Sequence, residues 1–142
     1  MQAPNFYWAV YLILENDTHE ILFQKRANTW YRDGEYQLPS WHIEWEESLV
    51  QAMIREAKEE LDIDIDPSDL NLLHISHRIS IGRVYFDTYL KAAKYSGELK
   101  NNEPDKCSEI VFKQISDCNP DDFDIQVLEK IAQWIYVSDI LK

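Results

Sequence analysis

Residues 48 to 61, "SLVQAMIREAKEEL", write two stripes onto one helix. At about 100° per residue, Leu49, Val50, Met53, Ile54, Ala57 and Leu61 share an arc of about 140°. Glu56, Glu59 and Glu60 share an adjoining arc of about 100°, at the edge of the apolar stripe rather than opposite it. Ser48, with Gln51 three residues later, is the start signal of a capping box. A helix of this kind must bury its stripe against another layer, and doing so sets three carboxylates at the rim of the core it covers. Like charges one turn apart repel by about 0.2–0.5 kcal/mol per pair, and a bound cation relieves that repulsion. Carboxylate oxygens at this spacing suit Mg²⁺ or Mn²⁺, hard ions that keep several waters and bind phosphates directly. Taken alone, "REAKEE" also reads as a solvated face, because Glu and Lys are good helix formers.

The remaining pattern is strand-rich. "FYWAVYLIL" at 6–14 and "ILFQKR" at 21–26 flank the turn cluster "ENDTHE" and read as a hairpin. Residues 27–40 read as loop with a short extended piece. "LLHISHRISI" and "RVYFDTYLKA" flank Gly82 as a second hairpin, and "EIVFKQI" at 109–115 reads as a further strand. After Pro120, apolar residues at 125, 128, 131, 132 and 135 follow a helical period. Two principal helices and a mixed sheet define an α+β class, and the non-alternating order excludes a pure parallel βαβ fold. The length, 142 residues, fits one domain over 1–142 that can bury a core without staples.

A formal net charge of −12 argues against a long nucleic-acid partner, which needs cationic patches to displace counterions. No apolar run reaches a membrane span, and the first ten residues lack the basic region of a signal peptide. Cys107 and Cys118 form no CxxC pair, so neither a disulfide framework nor a zinc site is expected and a reducing cytoplasm fits best. A small phosphate-bearing ligand stays compatible with the acidic chain, because a divalent ion inverts the local charge.

Residues 38–63, "LPSWHIEWEESLVQAMIREAKEELDI", resemble the signature of the Nudix hydrolases. That signature runs glycine, five residues, Glu, seven residues, then Arg-Glu-aliphatic-any-Glu-Glu-any-Gly-aliphatic. Glu47, Arg55, Glu56, Ala57, Glu59, Glu60 and Ile63 match it. "RANTWYRDGEYQLP" and "NNEPDKC" resemble segments of one bacterial group in the family, so the likeness runs in order through most of residues 6 to 115. The departures are all at glycines or turn positions. Trp41 stands at the first glycine, Ser40 at the glycine before it, Trp45-Glu46 at the usual Pro-Gly, and Asp62 at the last glycine. Asp is tolerated in a left-handed helix C-cap, whereas Trp41 must reshape the loop that lends a backbone carbonyl near Ser40.

The resemblance implies an α/β/α sandwich with a mixed sheet between a central Nudix helix and a C-terminal helix. It implies a hydrolase that cleaves a pyrophosphate bond in a nucleoside diphosphate linked to another group, with Mg²⁺ or Mn²⁺ as Lewis acid. Nucleoside triphosphates are favoured by the short chain. Glu56 and Glu60 would ligate metal, Glu59 would be a further ligand or the base, and Glu47 would bind metal through water or pair with Arg55. Arg55 would orient the glutamates, and Glu103 is the alternative base. Trp30, Tyr31, Tyr36 and Trp41 are candidates for stacking on a base, although aromatic residues are also ordinary core filler, as expected of Trp8, Trp134 and Tyr136. Arg26, with Lys25 and Arg32, could meet phosphates. The glycine losses motivate an alternative, a weak or inactive nucleotide-binding sensor of the same fold. A homodimer through the aromatic N-terminal strand and burial of that strand within one domain are both open.

Overall fold

The computed structural model describes residues 5–141, with the backbone alone at 141. The strands are β1 (Phe6–Ile13), β2 (Ile21–Arg26), β3 (Tyr36–Gln37), β4 (Ser40–His42), β5 (Leu70–Ser80), β6 (Arg83–Ala92), β7 (Cys107–Lys113) and β8 (Val137–Leu141). Helix α1 spans Leu49–Leu61 and α2 spans Phe123–Ala132. A five-stranded sheet runs β4-β1-β6-β5-β8, and a three-stranded sheet runs β3-β2-β7.

Strand β1 explains the layering. Its alternate residues Val10 and Leu12, with Leu14 beyond it, join a core cluster with Met53, Ala57 and Leu61 of α1. Ala9, Tyr11 and Ile13 join a second cluster with Ile125, Val127 and Leu128 of α2. A strand covered on both faces needs apolar residues at every position, which is why "AVYLIL" shows no alternation. Each such Leu or Ile contributes about 1.5–3 kcal/mol of burial. The sheet is mixed, with β1 parallel to β6 and antiparallel to β4.

Three expectations are corrected. The β1–β2 hairpin does not form as a two-stranded unit, because β4 and β6 occupy both edges of β1. Only a single bridge, Glu15 to Ile21, remains before β2 leaves for the smaller sheet. The C-terminal helical period also overruns the helix. Trp134 adopts φ 61° just after α2, and residues 137–141 add to β5 as a parallel strand. Val137 and Ile140 suit an extended backbone, and β5 offered an open edge, so tertiary pairing overrode the helical period. The aromatic residues expected as core filler are exposed instead: Trp8 at 46%, Trp134 at 79% and Tyr136 at 60%. The β5–β6 hairpin is as expected, turning at Ile81-Gly82 with both residues at positive φ. Among the described residues no helix is long and apolar enough to cross a membrane.

Candidate active site

Helix α1 starts with both halves of the capping box, the Gln51 N–H donating to Ser48 Oγ and the Ser48 N–H to the Gln51 side chain. It ends at Asp62 in a left-handed cap, φ 58° and ψ 29°, whose N–H reaches the Ala57 and Lys58 carbonyls. The loop before β7 satisfies the carbonyls that a helix end leaves open. Lys100 N–H donates to Leu61 O at 2.9 Å, Asn102 N–H to Glu60 O at 3.0 Å, and Asn102 Nδ2 to Glu59 O at 3.1 Å. Gly97 allows the close approach, since a Cβ there would stand 3.0 Å from Asp62 O. The loop thereby brings Glu103 to Glu60.

Arg55 organises the other carboxylates. Its Nε and Nη2 grip Glu47 at 3.0 and 2.8 Å, a two-point contact. Its Nη1 donates to Glu56 at 2.8 Å and to Glu59 at 3.2 Å. Arg55 holds the Glu47 carboxyl below the usual range. Burial pushes the Glu56 carboxyl up, against the pull of Arg55. The Glu60 carboxyl is pushed up to about 7, first by burial and then by the charges of Glu103 and Glu56, while a hydrogen bond from Trp41 opposes the rise. That bond runs from Trp41 Nε1 to Glu60 Oε2 at 2.5 Å.

Among the described residues no three Asp, Glu, His or Cys side chains are already gathered as a metal cage. The donor set still fits a hard divalent cation. Glu60 and Glu103 are crowded carboxylates with the charge of Glu56 close by, and Mg²⁺ asks for only one or two such ligands beside its waters. The nearby Cys107 thiol is pushed up by burial and donates to Glu109 O, so it offers no soft ligand.

Two cavities meet here. The smaller, about 130 Å³, is lined by Trp41, Glu60, Glu103, Lys106 and their neighbours. The larger, about 560 Å³, is walled by Trp30, Tyr31, His42, Arg78, Arg83 and Tyr85, among others. Arg26, Gln37 and Ser40 line both. Arg26 Nε is fixed on Tyr31 O at 2.8 Å, which also pins the loop carrying Trp30. Asp124, in the first turn of α2, accepts the Leu38 N–H at 3.0 Å and so ties the approach to Ser40 onto that helix.

Of the aromatic candidates, Trp30 and Tyr31 stand on the large cavity. Tyr36 lies elsewhere, donating to Glu109 and flanked by Lys25 and Lys113. Trp41 is 8% exposed and turns toward Glu60. Arg32 pairs with Glu35 and Asp122 outside both cavities. The sequence reading missed Gln37, Lys106, Arg78, Arg83 and Tyr85. Arg78 and Asp87 carried a usable signal, being charged residues inside otherwise apolar strands, where a charge must be paired.

The carboxylates at the helix end thus open onto a cavity of aromatic and cationic residues. The NUDIX domain family model matches residues 6–135, and the chain belongs to that family, the Nudix-type pyrophosphohydrolases. No curated protein matches the chain. Among solved structures, it is similar to a MutT NUDIX hydrolase from Burkholderia pseudomallei, with 24% identity, 91% of this chain and 98% of that one covered, and a TM-score of 0.75. It is similar to the MutT protein from Methanosarcina mazei Go1, with 15% identity, 94% and 97% coverage and a TM-score of 0.78. The NUDIX domain of Shewanella oneidensis NrtR, solved in complex with ADP ribose, shares 15% identity over 94% of this chain and 89% of that one, with a TM-score of 0.68. At these identities the structural likeness speaks for the fold alone, and its mixed sheet with two helices is the fold described above.

Proposed function

We propose that this protein hydrolyses a pyrophosphate bond in a nucleoside diphosphate derivative, with nucleoside triphosphates as the preferred class and Mg²⁺ as the natural ion. The observation that carries this reading is the junction of the two cavities. The carboxylates of Glu60 and Glu103 lie on one side of Arg26, Gln37 and Ser40, and the aromatic walls lie on the other. A ligand with phosphates at one end and a ring at the other fits both at once. The ADP ribose held by the NrtR domain, on the same fold, likewise carries a diphosphate beside a ring.

Glu56 and Glu60 would hold the ion, with Glu59 and Glu47 at its margin. A divalent cation there supplies neutralisation of phosphate charge and a lower pKa for the attacking water. Arg55 keeps Glu47, Glu56 and Glu59 in fixed directions. Arg26 meets phosphate at the junction, and Trp30 or Tyr31 covers the ring. Either Glu59 or Glu103 takes the proton from water. With two free thiols, the protein suits a reducing cytoplasm.

The test is product release from a panel of nucleoside triphosphates and nucleoside-diphosphate conjugates, with Mg²⁺ or Mn²⁺, beside Glu60→Gln: pyrophosphate or phosphate from the triphosphates, nucleoside monophosphate from the conjugates. Metal-dependent release that the variant loses is the expected outcome. Nucleotide binding without release across the panel would overturn the hydrolase in favour of the sensor.

A further inference from the structure

The residue at the family's first glycine position has a task that glycine cannot perform. Trp41 sits in β4 between Ser40 and His42, paired with Val10 of β1. Its ring is 8% exposed and packs in the core cluster with Met53 and Ala57 of α1. Only the edge of the indole reaches the small cavity, where Nε1 donates to Glu60 Oε2 at 2.5 Å. Arg55 directs its bonds to Glu47, Glu56 and Glu59 and so does not orient Glu60, and Arg26 and Lys106 only share the small cavity with it. The neighbour of Glu60 across the cavity is Glu103, a second carboxyl that hydrogen-bonds to it and adds negative charge, so the Trp41 N–H is the neutral donor that fixes the remaining oxygen.

We infer that Trp41 is a positioning residue for Glu60: its indole N–H occupies Oε2 and leaves Oε1 directed into the small cavity as the oxygen offered to a divalent cation. The inference rests on the proposed role of Glu60 as a metal ligand. An indole N–H is a donor only, so it cannot take the cation itself and cannot be displaced by accepting a proton. The rigid ring is locked by core packing, so the donor stays in place before any ion arrives. Supporting groups of this kind change metal affinity by about 10–100-fold.

The test uses the full chain and Mn²⁺ alone, with free ion measured by electron paramagnetic resonance. Trp41→Phe keeps an aromatic filler and removes the N–H. It should bind Mn²⁺ roughly 10–100-fold more weakly than the unaltered chain, and Glu60→Gln should weaken binding at least as much. Equal or tighter binding by Trp41→Phe, while Glu60→Gln binds weakly, overturns the positioning role and leaves the metal site standing. No effect of Glu60→Gln overturns the metal reading itself. A second readout needs no Trp variant. Among the indole N–H signals of the five tryptophans in a ¹⁵N spectrum, one should lie far downfield, move upfield in Glu60→Gln and shift on Mg²⁺ addition. Five signals unmoved by Glu60→Gln would show that no such bond exists, and the inference would fall.

Discussion

The Asn102 N–H donates to the Glu60 carbonyl at 3.0 Å, and the next residue, Glu103, places its carboxyl beside that of Glu60. The end of the helix is thus completed by the loop that carries Glu103. Gly97 permits this arrangement, at φ +95° and with Asp62 O 3.0 Å from where a Cβ would stand. Gly97→Ala should cost about 1–2 kcal/mol from the left-handed backbone alone. It should also lift the loop from α1, so kcat falls while KM for nucleotide moves little. Thermal unfolding and steady-state kinetics check both. An unchanged kcat in a destabilised variant would separate the loop from the chemistry.

Glu59 and Glu103 compete for the base. Glu59 is more than half exposed and takes one bond from Arg55 at 3.2 Å, whereas Glu103 lies in the small cavity. Replacing the true base by Gln should lower kcat by about 10²–10⁴-fold, and replacing the other should mainly weaken metal affinity. Measuring kcat at saturating Mg²⁺ for Glu59→Gln and Glu103→Gln separates them, because excess ion restores a lost ligand but not a lost base.

The helix and its caps were legible because they are local: Ser48, Gln51 and the left-handed Asp62 act within a few residues of one another. The β5–β6 hairpin was legible for the same reason. What the sequence did not show depends on partners far along the chain. Whether residues 137–141 form helix or strand is decided by the open edge of β5, some sixty residues earlier. The cavity wall of Arg78 and Tyr85 depends on the registry of two strands. Trp41 was legible as a departure from a glycine, but its direction was not. Only the packing of β4 on α1 turns the indole edge toward Glu60 rather than toward the aromatic cavity.

Asp124 makes stability depend on pH. It is 1% exposed, and burial, followed by the charge of Asp122, pushes its carboxyl from 3.8 to about 7. The Leu38 N–H and Arg32 oppose that rise, and Asp87 adds to it. Between those pH values the folded chain keeps a proton that the unfolded chain has released. The group's contribution is therefore full below about pH 4 and is lost as pH rises through about 7. The slope is at most about 1.4 kcal/mol per pH unit. Asp124→Asn preserves an acceptor for Leu38 and cannot titrate. Relative to the unaltered chain it should gain stability between pH 5 and pH 8, as measured by urea midpoints. A constant difference between the two proteins across that range would remove Asp124 as the titrating group.

Arg78 and Asp87 form a bidentate pair across the β5–β6 hairpin, Nε to Oδ2 at 2.6 Å and Nη2 to Oδ1 at 3.2 Å. Both are buried, and the guanidinium lies 4.0 Å from the Tyr85 ring centroid. Removing one partner leaves the other as an uncompensated charge, so Asp87→Ala should cost about 3–5 kcal/mol. Replacing both with apolar residues of similar size, Arg78→Met with Asp87→Leu, should recover most of that loss, because the desolvation of both charges disappears with them. Arg78 also walls the large cavity. The double variant should therefore fold well yet show a raised KM for any substrate whose ring enters there. Urea unfolding of the two single variants and the double one, with KM on the double, separates the two roles. A double variant as unstable as Asp87→Ala would mean that the hairpin needs the pair for its geometry and not only for its charge.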